Sequence, residues 1–158
     1  MTNIDALIDS AKTTPQPQSD PVEVVLGGEL VTFRFTRAVA TDWARNCARF
    51  PARLDVDMDR VYGYNFHQVS MITAAETGVL IEDDGVTGSI TALTEEQWRG
   101  IFAPGVLSGH DLMRIVDAVW ALNEWDPQQK VLDLKKASRI ASEPSSDSPA
   151  SSESPTGD

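Results

Sequence analysis

The strongest constraint on the fold lies at residues 22–35, which read VEVVLGGELVTFRF. Two β-rich runs flank the Gly-Gly pair at 27–28, and paired glycines supply the positive φ angles of a tight hairpin turn. In the second run Val31, Phe33 and Phe35 alternate with polar or outward-facing residues, so one face is apolar. Because a two-stranded hairpin is marginally stable by itself, helices are needed to cover that face.

Helical periodicity and capping residues account for most of the remaining chain. They predict helices over residues 3–11, 41–49 and 65–77, a short helix after a capping box at 94–97, and longer helices over 108–124 and 126–140. Thr41 is expected to be the N-cap of its helix. Asp126 followed by Pro127 is typical of an N-cap and a first helical residue, which places a separate helix start there.

The helix over 65–77 is expected to bury a single apolar stripe and to end at Gly78 as its C-cap. That stripe consists of Phe66, Val69, Ile72 and Ala75. The hairpin and the helices together predict an α+β fold that is mainly α. The N-terminal β-hairpin packs against a small bundle of about four to five helices.

Proline and polar residues divide the chain into three predicted parts. Residues 1–21 combine the short N-terminal helix with a Pro-rich linker, and residues 22–141 form the folded domain. Residues 142–158 read SEPSSDSPASSESPTGD, with no Lys or Arg and no apolar residue larger than Ala or Pro. Burial of such residues does not offset the entropy of ordering them, so a disordered C-terminal tail is expected.

The chain is acidic, with 24 Asp and Glu residues against 13 Lys and Arg and a net charge of −11. Phosphate binding requires a basic footprint, so no nucleic-acid partner is expected. The start MTNIDALIDS lacks the basic and apolar regions of a signal peptide. No stretch approaches the roughly 18 apolar residues of a membrane helix. We therefore expect a soluble, cytoplasmic protein with no membrane partner.

One acidic segment has the beginning of a calcium-binding loop. Asp55, Asp57 and Asp59 have the spacing of its first ligands, but Arg60 and Phe66 stand where that loop requires Gly and Glu. The segment is therefore expected to be an acidic, solvated connector. A divalent ion held by part of the cluster is the alternative.

The remaining reactive side chains form no recognisable constellation. His67 and His110 are 43 positions apart and lack zinc-ligand spacing. Cys47, the single cysteine, is expected to be a small buried apolar residue and not a nucleophile. We predict no catalytic residue, no cofactor and no metal, and hence a protein that is not an enzyme.

Four tryptophans are more than a small core requires. Trp43 and Trp98 are assigned to the core. Trp120 and Trp125 lie beside the principal apolar stripe of their helix, as does Met113. Exposed tryptophans are typical interface anchors, so Trp120, Trp125 and Met113 are predicted to bind a partner.

Six arginines lie between positions 34 and 60, among them Arg45 and Arg49. Two interpretations remain open. The arginines neutralise acidic groups across the folded surface, or they mark a docking surface on which Arg45 and Arg49 contact a partner.

The run VDAVWALNEWDPQQKVLDLKKAS at residues 116–138, followed by the Ser/Pro/acidic tail, resembles tail assembly chaperones of long-tailed (siphovirus-type) phages that infect actinobacteria. The order of strands leading into a Trp-bearing helix is also similar. The likeness covers most of the chain. It rests on the overall sequence pattern and on the order of the predicted elements, and the LNEW segment is its most specific part.

The resemblance implies a non-enzymatic role. Such chaperones bind the tape measure protein and keep it soluble in the host cytoplasm while tail tube subunits assemble, and they are absent from the mature virion. Many are made in two forms by ribosomal frameshifting, and this chain would be the shorter product. Implied partners are therefore the tape measure protein, tail tube subunits and the longer frameshifted form. The family provides no functional residue to carry over.

Two other function classes remain open from the sequence. A head–tail connector or adaptor would form a stable ring and would be present in purified virions. A small hydrolase or metal enzyme would need a site built from Asp55, Asp57, Asp59 and His67.

Overall fold

The computed structural model describes residues 2–82 and 88–144. The chain forms two units, Met1–Pro127 and Gln128–Asp158. The predicted tail at 142–158 lies outside the described residues except at its first three positions, where Ser142 is the last residue of a helix. The predicted boundaries after residues 21 and 141 stay predictions.

The described residues form an α+β structure that is mainly α, which confirms the predicted fold class. In chain order the elements are α1 (Ile4–Thr13), β1 (Val22–Leu26), β2 (Glu29–Arg34), α2 (Ala40–Arg49), α3 (Asp57–Tyr62), α4 (Phe66–Thr77), β3 (Val79–Glu82), β4 (Ser89–Ala92), α5 (Glu95–Ile101), α6 (Gly109–Trp120), a π-helical segment (Ala121–Trp125) and α7 (Asp126–Ser142). In the second unit, α7 has no buried residue.

The predicted hairpin is present with its turn at Gly27 and Gly28. Both glycines have positive φ, +58° and +84°, as a two-residue hairpin turn requires. Val24 pairs with Val31 across the hairpin. The hairpin is extended by two strands that the sequence patterns did not predict, giving an antiparallel sheet in the order β1-β2-β3-β4. β3 and β4 have four residues each, too few for alternation to be recognised.

The core lies between one face of the sheet and helices α5 and α6. Phe33, Phe35 and Trp98 form its aromatic centre, with the Trp98 ring centroid 5.1 Å from Phe33 and 6.1 Å from Phe35. Ile115 and Val119 of α6 are fully buried in the same cluster. Trp98 lies on α5 and is buried there. The capping box at Thr94, which begins α5, is formed as predicted.

Two of the predicted helix details are wrong. α2 begins at Ala40, and its N-cap is Val39, which makes no side-chain hydrogen bond, so Thr41 is not the cap. The hydrogen bond from the Ala38 amide to Asn123 Oδ1 fixes the chain immediately before Val39, and the helix starts two residues earlier than expected.

The buried face of α4 also differs from the predicted stripe. Phe66 and Val69 are buried as expected, but Ile72 and Ala75 are half-buried, and Ser70, Thr73 and Ala74 are buried instead. α4 packs against both α2 and α6, so its buried face is wider than one stripe. It includes Thr73, whose hydroxyl accepts a hydrogen bond from Asn46 Nδ2 at 3.1 Å.

Gly78 is the C-cap of α4, as predicted, but for a different physical reason. Its φ of −81° is open to any residue. A Cβ at this position would lie 2.6 Å from the Ala74 carbonyl oxygen, 2.6 Å from Trp98 Cζ2 and 2.8 Å from Phe35 Cε1. The absence of a side chain therefore allows α4 and β3 to meet directly against the aromatic centre.

Gly78→Ala is expected to destabilise the protein by roughly 1–3 kcal/mol, the usual cost of overpacking a core. The measurement is the free energy of unfolding in urea. Gly100→Ala is the matched control, because a Cβ there meets nothing within 4 Å and alanine favours the helical backbone of α5. Equal stability of the two variants would contradict the packing argument.

Candidate partner-binding site

α7 begins at Asp126 as predicted, but Asp126 is not the N-cap of a separate helix, because the backbone passes from α6 into α7 without a break through the π segment. The Asp126 amide donates to the carbonyl of Ala121, five residues back. The Leu122 carbonyl therefore loses its α-helical donor, and its π-helical donor would be the nitrogen of Pro127, which carries no hydrogen. Arg37 Nε donates to this carbonyl at 2.6 Å. An arginine thus replaces the backbone donor that proline removes.

A second side chain holds the π segment to the stretch that follows β2. Asn123 Oδ1 accepts from the Ala38 amide at 3.0 Å, while Asn123 Nδ2 donates to the Val119 carbonyl at 2.8 Å. The position of the π segment is therefore fixed by hydrogen bonds from two consecutive residues, Arg37 and Ala38. This orients the two neighbouring tryptophans, Trp120 and Trp125.

Both tryptophans belong to an aromatic cluster formed by Trp43, Tyr62, Tyr64, Phe66, Trp120 and Trp125. Trp120 is half-buried and packs edge-on, with its ring centroid 5.1 Å from Tyr62 and 5.6 Å from Phe66. Trp125 lies 6.3 Å from Trp120 and is 47% exposed. The structure therefore brings the two predicted anchors together, with Trp125 outermost and Trp120 behind it.

Glu124 supplies the polar contact of the aromatic cluster. Its carboxylate accepts from Trp43 Nε1 at 2.9 Å. Burial, followed by the negative charge of Glu124, raises the pKa of the Tyr64 hydroxyl. The same two causes raise the pKa of Cys47 to about 11. The half-buried Cys47 thiol is therefore protonated at neutral pH and is a poor nucleophile.

The other predicted contact residues have separate environments. Met113 is half-buried on α6, two turns before Trp120. Arg45 is engaged within the chain, 2.9 Å from Asp42 and 3.6 Å from Glu76. The guanidinium of Arg49 lies 5.2 Å from the ring centroid of Phe50 and is exposed. The ion pairs of Arg45 agree with the first interpretation, in which the arginines neutralise acidic groups on the folded surface. Arg49 has no carboxylate partner among the described residues.

The structure corrects the prediction of a solvated acidic connector. Asp57 begins the short helix α3, and Asp59 is fully buried within it. The Asp59 carboxylate accepts from Arg53 Nε at 2.8 Å, from Arg53 Nη2 at 3.1 Å and from the backbone amides of Arg53 and Phe66. These donors hold the pKa of Asp59 well below its usual range.

The Arg53 guanidinium also contacts a histidine, since its Nη2 lies 2.8 Å from His67 Nδ1. Asp59 thus ties the start of α3 to the start of α4. Within residues 2–82 and 88–144, no group of three or more His, Cys, Asp or Glu side chains is placed to hold a metal ion.

Sequence reasoning missed an apolar groove of about 430 Å³ on the first unit. It lies between the sheet and α5, near the hairpin turn, and none of the described residues that line it is charged. Its lining residues are Leu26, Gly27, Val31, Phe33, Leu80, Leu93, Gln97, Gly100, Ile101 and Val106. The alternating apolar face of β2 was the only signal for it, because the residues from β3 and from the segment after α5 join only in the tertiary structure.

Searches against family models, curated proteins and solved structures find no match for this chain. Among the described residues, no helix is both long enough and apolar enough to cross a bilayer.

Asp59→Asn is expected to lower the free energy of unfolding by roughly 2–3 kcal/mol at neutral pH, because charge-assisted hydrogen bonds to Arg53 are lost. The folded pKa of Asp59 is lowered, so its stabilisation is present above its unfolded pKa of about 4 and is lost as the pH falls toward the folded value. The stability difference between wild type and variant should therefore shrink below about pH 4.

Urea unfolding across this pH range measures the effect. Asp57→Asn is the control, since Asp57 is exposed and its one ion pair among the described residues is with the exposed Arg60. It should change stability by less than about 0.5 kcal/mol. A constant difference between wild type and Asp59→Asn down to about pH 2 would contradict the assignment.

Proposed function

We propose that this chain is a tail assembly chaperone of a long-tailed phage, which binds the tape measure protein and keeps it soluble while tail tube subunits assemble. The observation that carries the proposal is the apolar groove on an otherwise strongly acidic chain. The resemblance of residues 116–138 to such chaperones, stated above, supports the same role. The proposed location is the host cytoplasm, with no copies in finished virions.

The groove has the chemistry needed to hold an apolar helix face. Its volume falls within the range of ordinary binding pockets, and Gln97 is the only polar side chain among the described residues that line it. A groove of this kind accepts an amphipathic helix through apolar anchors spaced three or four residues apart. Tape measure proteins are long helical chains whose apolar segments aggregate when exposed, so they present such anchors repeatedly.

Trp125 provides a second contact point on the same unit. Its exposed indole rests on Trp120, which packs against Tyr62 and Phe66 and is thereby held in place. A rigid aromatic side chain loses little entropy when it binds, which suits it as an anchor. Several weak contacts along one client give avidity while each remains displaceable by tail tube subunits.

The net charge of −11 supports a solubilising role. Mutual repulsion between acidic complexes opposes their aggregation, even when each holds an apolar client segment. A longer form produced by frameshifting would share residues up to the shift site and would bring the same groove to the client.

The first test is co-expression with a tape measure protein, the proposed client. Val106→Asp introduces a charge at the groove and is expected to weaken client capture by about tenfold or more, equivalent to about 1.4 kcal/mol. The readout is the amount of soluble client that co-purifies. Val61→Asp is the matched control, because Val61 is exposed and lies outside the groove. Equal capture by both variants would remove the groove from the proposal.

The second test concerns the two tryptophans. Trp125→Ala is expected to weaken capture while leaving the urea midpoint nearly unchanged, since the indole is 47% exposed. Trp120→Ala is expected to lower the midpoint as well, because it removes the contacts with Tyr62 and Phe66. Unchanged capture by Trp125→Ala would show that this residue is not an anchor.

Purified virions provide a separate outcome. A stoichiometric amount of this chain in finished particles would contradict the chaperone role and would favour a connector or adaptor.

A further inference from the structure

The two edges of the sheet are treated differently by the rest of the fold. β1 is one edge, and α6 lies beside it. Asp111 Oδ2 accepts from the outward-facing amide of Val25 at 3.3 Å, and Arg114 Nη1 donates to the outward-facing carbonyl of Glu23. These two side chains, one turn apart on α6, occupy backbone groups that would otherwise pair with another strand.

β4 is the other edge, and all four of its residues are exposed. Every second residue of an edge strand directs its amide and carbonyl away from the neighbouring strand. Within the described residues, no side chain or backbone group outside β3 is hydrogen-bonded to the backbone of residues 89–92. The lysines, prolines and charges that usually protect an edge are also missing here, because residues 88–94 read GSITALT.

The outer face of the sheet, which faces away from α5 and α6, carries an apolar strip that leads to the β4 edge. Ile81 on β3 is paired with Ile90 on β4, and Ile81 is also paired with Thr32 on β2. Ile90 and Leu30 are mostly exposed. A strand added to β4 would therefore extend the hydrogen-bonded ladder and cover part of this strip at the same time.

We propose that the β4 edge is a homodimer interface, in which β4 of one copy pairs antiparallel with β4 of a second copy about a two-fold axis. Two chains that each carry a net charge of −11 repel each other over most of their surface. The uncharged run at 88–94 allows close approach. This proposal is independent of the chaperone role.

Antiparallel pairing places the start of each β4 beside the end of the other, so the residues brought together belong to the uncharged run at 88–94 of both copies. Ile90 of the two copies comes close together, and the apolar strips join into one. Because Asp111 and Arg114 block the β1 edge, association ends at the dimer.

Light scattering coupled to size-exclusion chromatography tests the proposal on the full chain. The wild type is expected at twice the 17.2 kDa mass of one chain. Ile90→Lys places two like charges at the interface and is expected to raise the dimer dissociation constant by at least about tenfold. Leu30→Lys is the control, since Leu30 is 66% exposed against 63% for Ile90 and lies on the same outer face but on β2. It should remain dimeric.

Amide hydrogen exchange of residues 89–92 gives a second readout that does not depend on either variant. Protection of these amides is expected to rise with protein concentration in the wild type and not in Ile90→Lys. A wild type that is monomeric at every soluble concentration would overturn the proposal, as would a dimer that Ile90→Lys leaves intact. Protection that appears only when an extended client peptide is added would assign the edge to client binding and would equally overturn it.

Discussion

The missing amide hydrogen of Pro127 underlies the contact that joins the π segment to the residues after the N-terminal hairpin. It leaves the Leu122 carbonyl without a backbone donor once the helix widens into a π turn. Arg37 supplies the replacement hydrogen bond, and Asn123 binds the next residue, Ala38. A helical segment late in the chain is thereby tied to the residues that leave the N-terminal hairpin. α2 begins directly after this connection, and Trp120 and Trp125 flank its other end.

The Arg53–Asp59 pair has a comparable role on the other side of the aromatic cluster. A fully buried carboxylate is costly unless its oxygens are satisfied, and four hydrogen bonds from Arg53 and Phe66 satisfy this one. The pair fixes α3 against the start of α4. Tyr62 and Phe66 are thereby placed beneath Trp120. The segment that contains Asp59, which the sequence predicts to be solvated, therefore holds α3 and the start of α4 together.

Three surfaces of the first unit lack charge on a chain whose net charge is −11. They are the described lining of the groove beside α5, the indole of Trp125 and the edge strand β4. Apolar contacts at these places meet less electrostatic repulsion than contacts between acidic parts of the surface. The proposed client binding and the proposed dimer use different members of this set, the first unit's groove and its sheet edge.

The sequence alone determined the features that depend on neighbouring residues. The Gly27-Gly28 turn, the capping box at Thr94 and the periodic helices are local, because their hydrogen bonds span only a few residues. Only the tertiary structure decided that β3 and β4 join the N-terminal hairpin and that Arg37 binds the Leu122 carbonyl, since these partners are far apart in the chain. Asp59 is buried by Arg53 and Phe66, which are six and seven positions away, but no periodic pattern in the sequence marks such a pairing. The groove likewise is lined by residues from Leu26 to Val106, and no local sequence pattern predicts that they lie together. The π turn shows the limit most clearly. Asp126-Pro127 indicates the start of a separate helix, whereas the backbone is helical on both sides of it and the Leu122 carbonyl is bound by the distant Arg37.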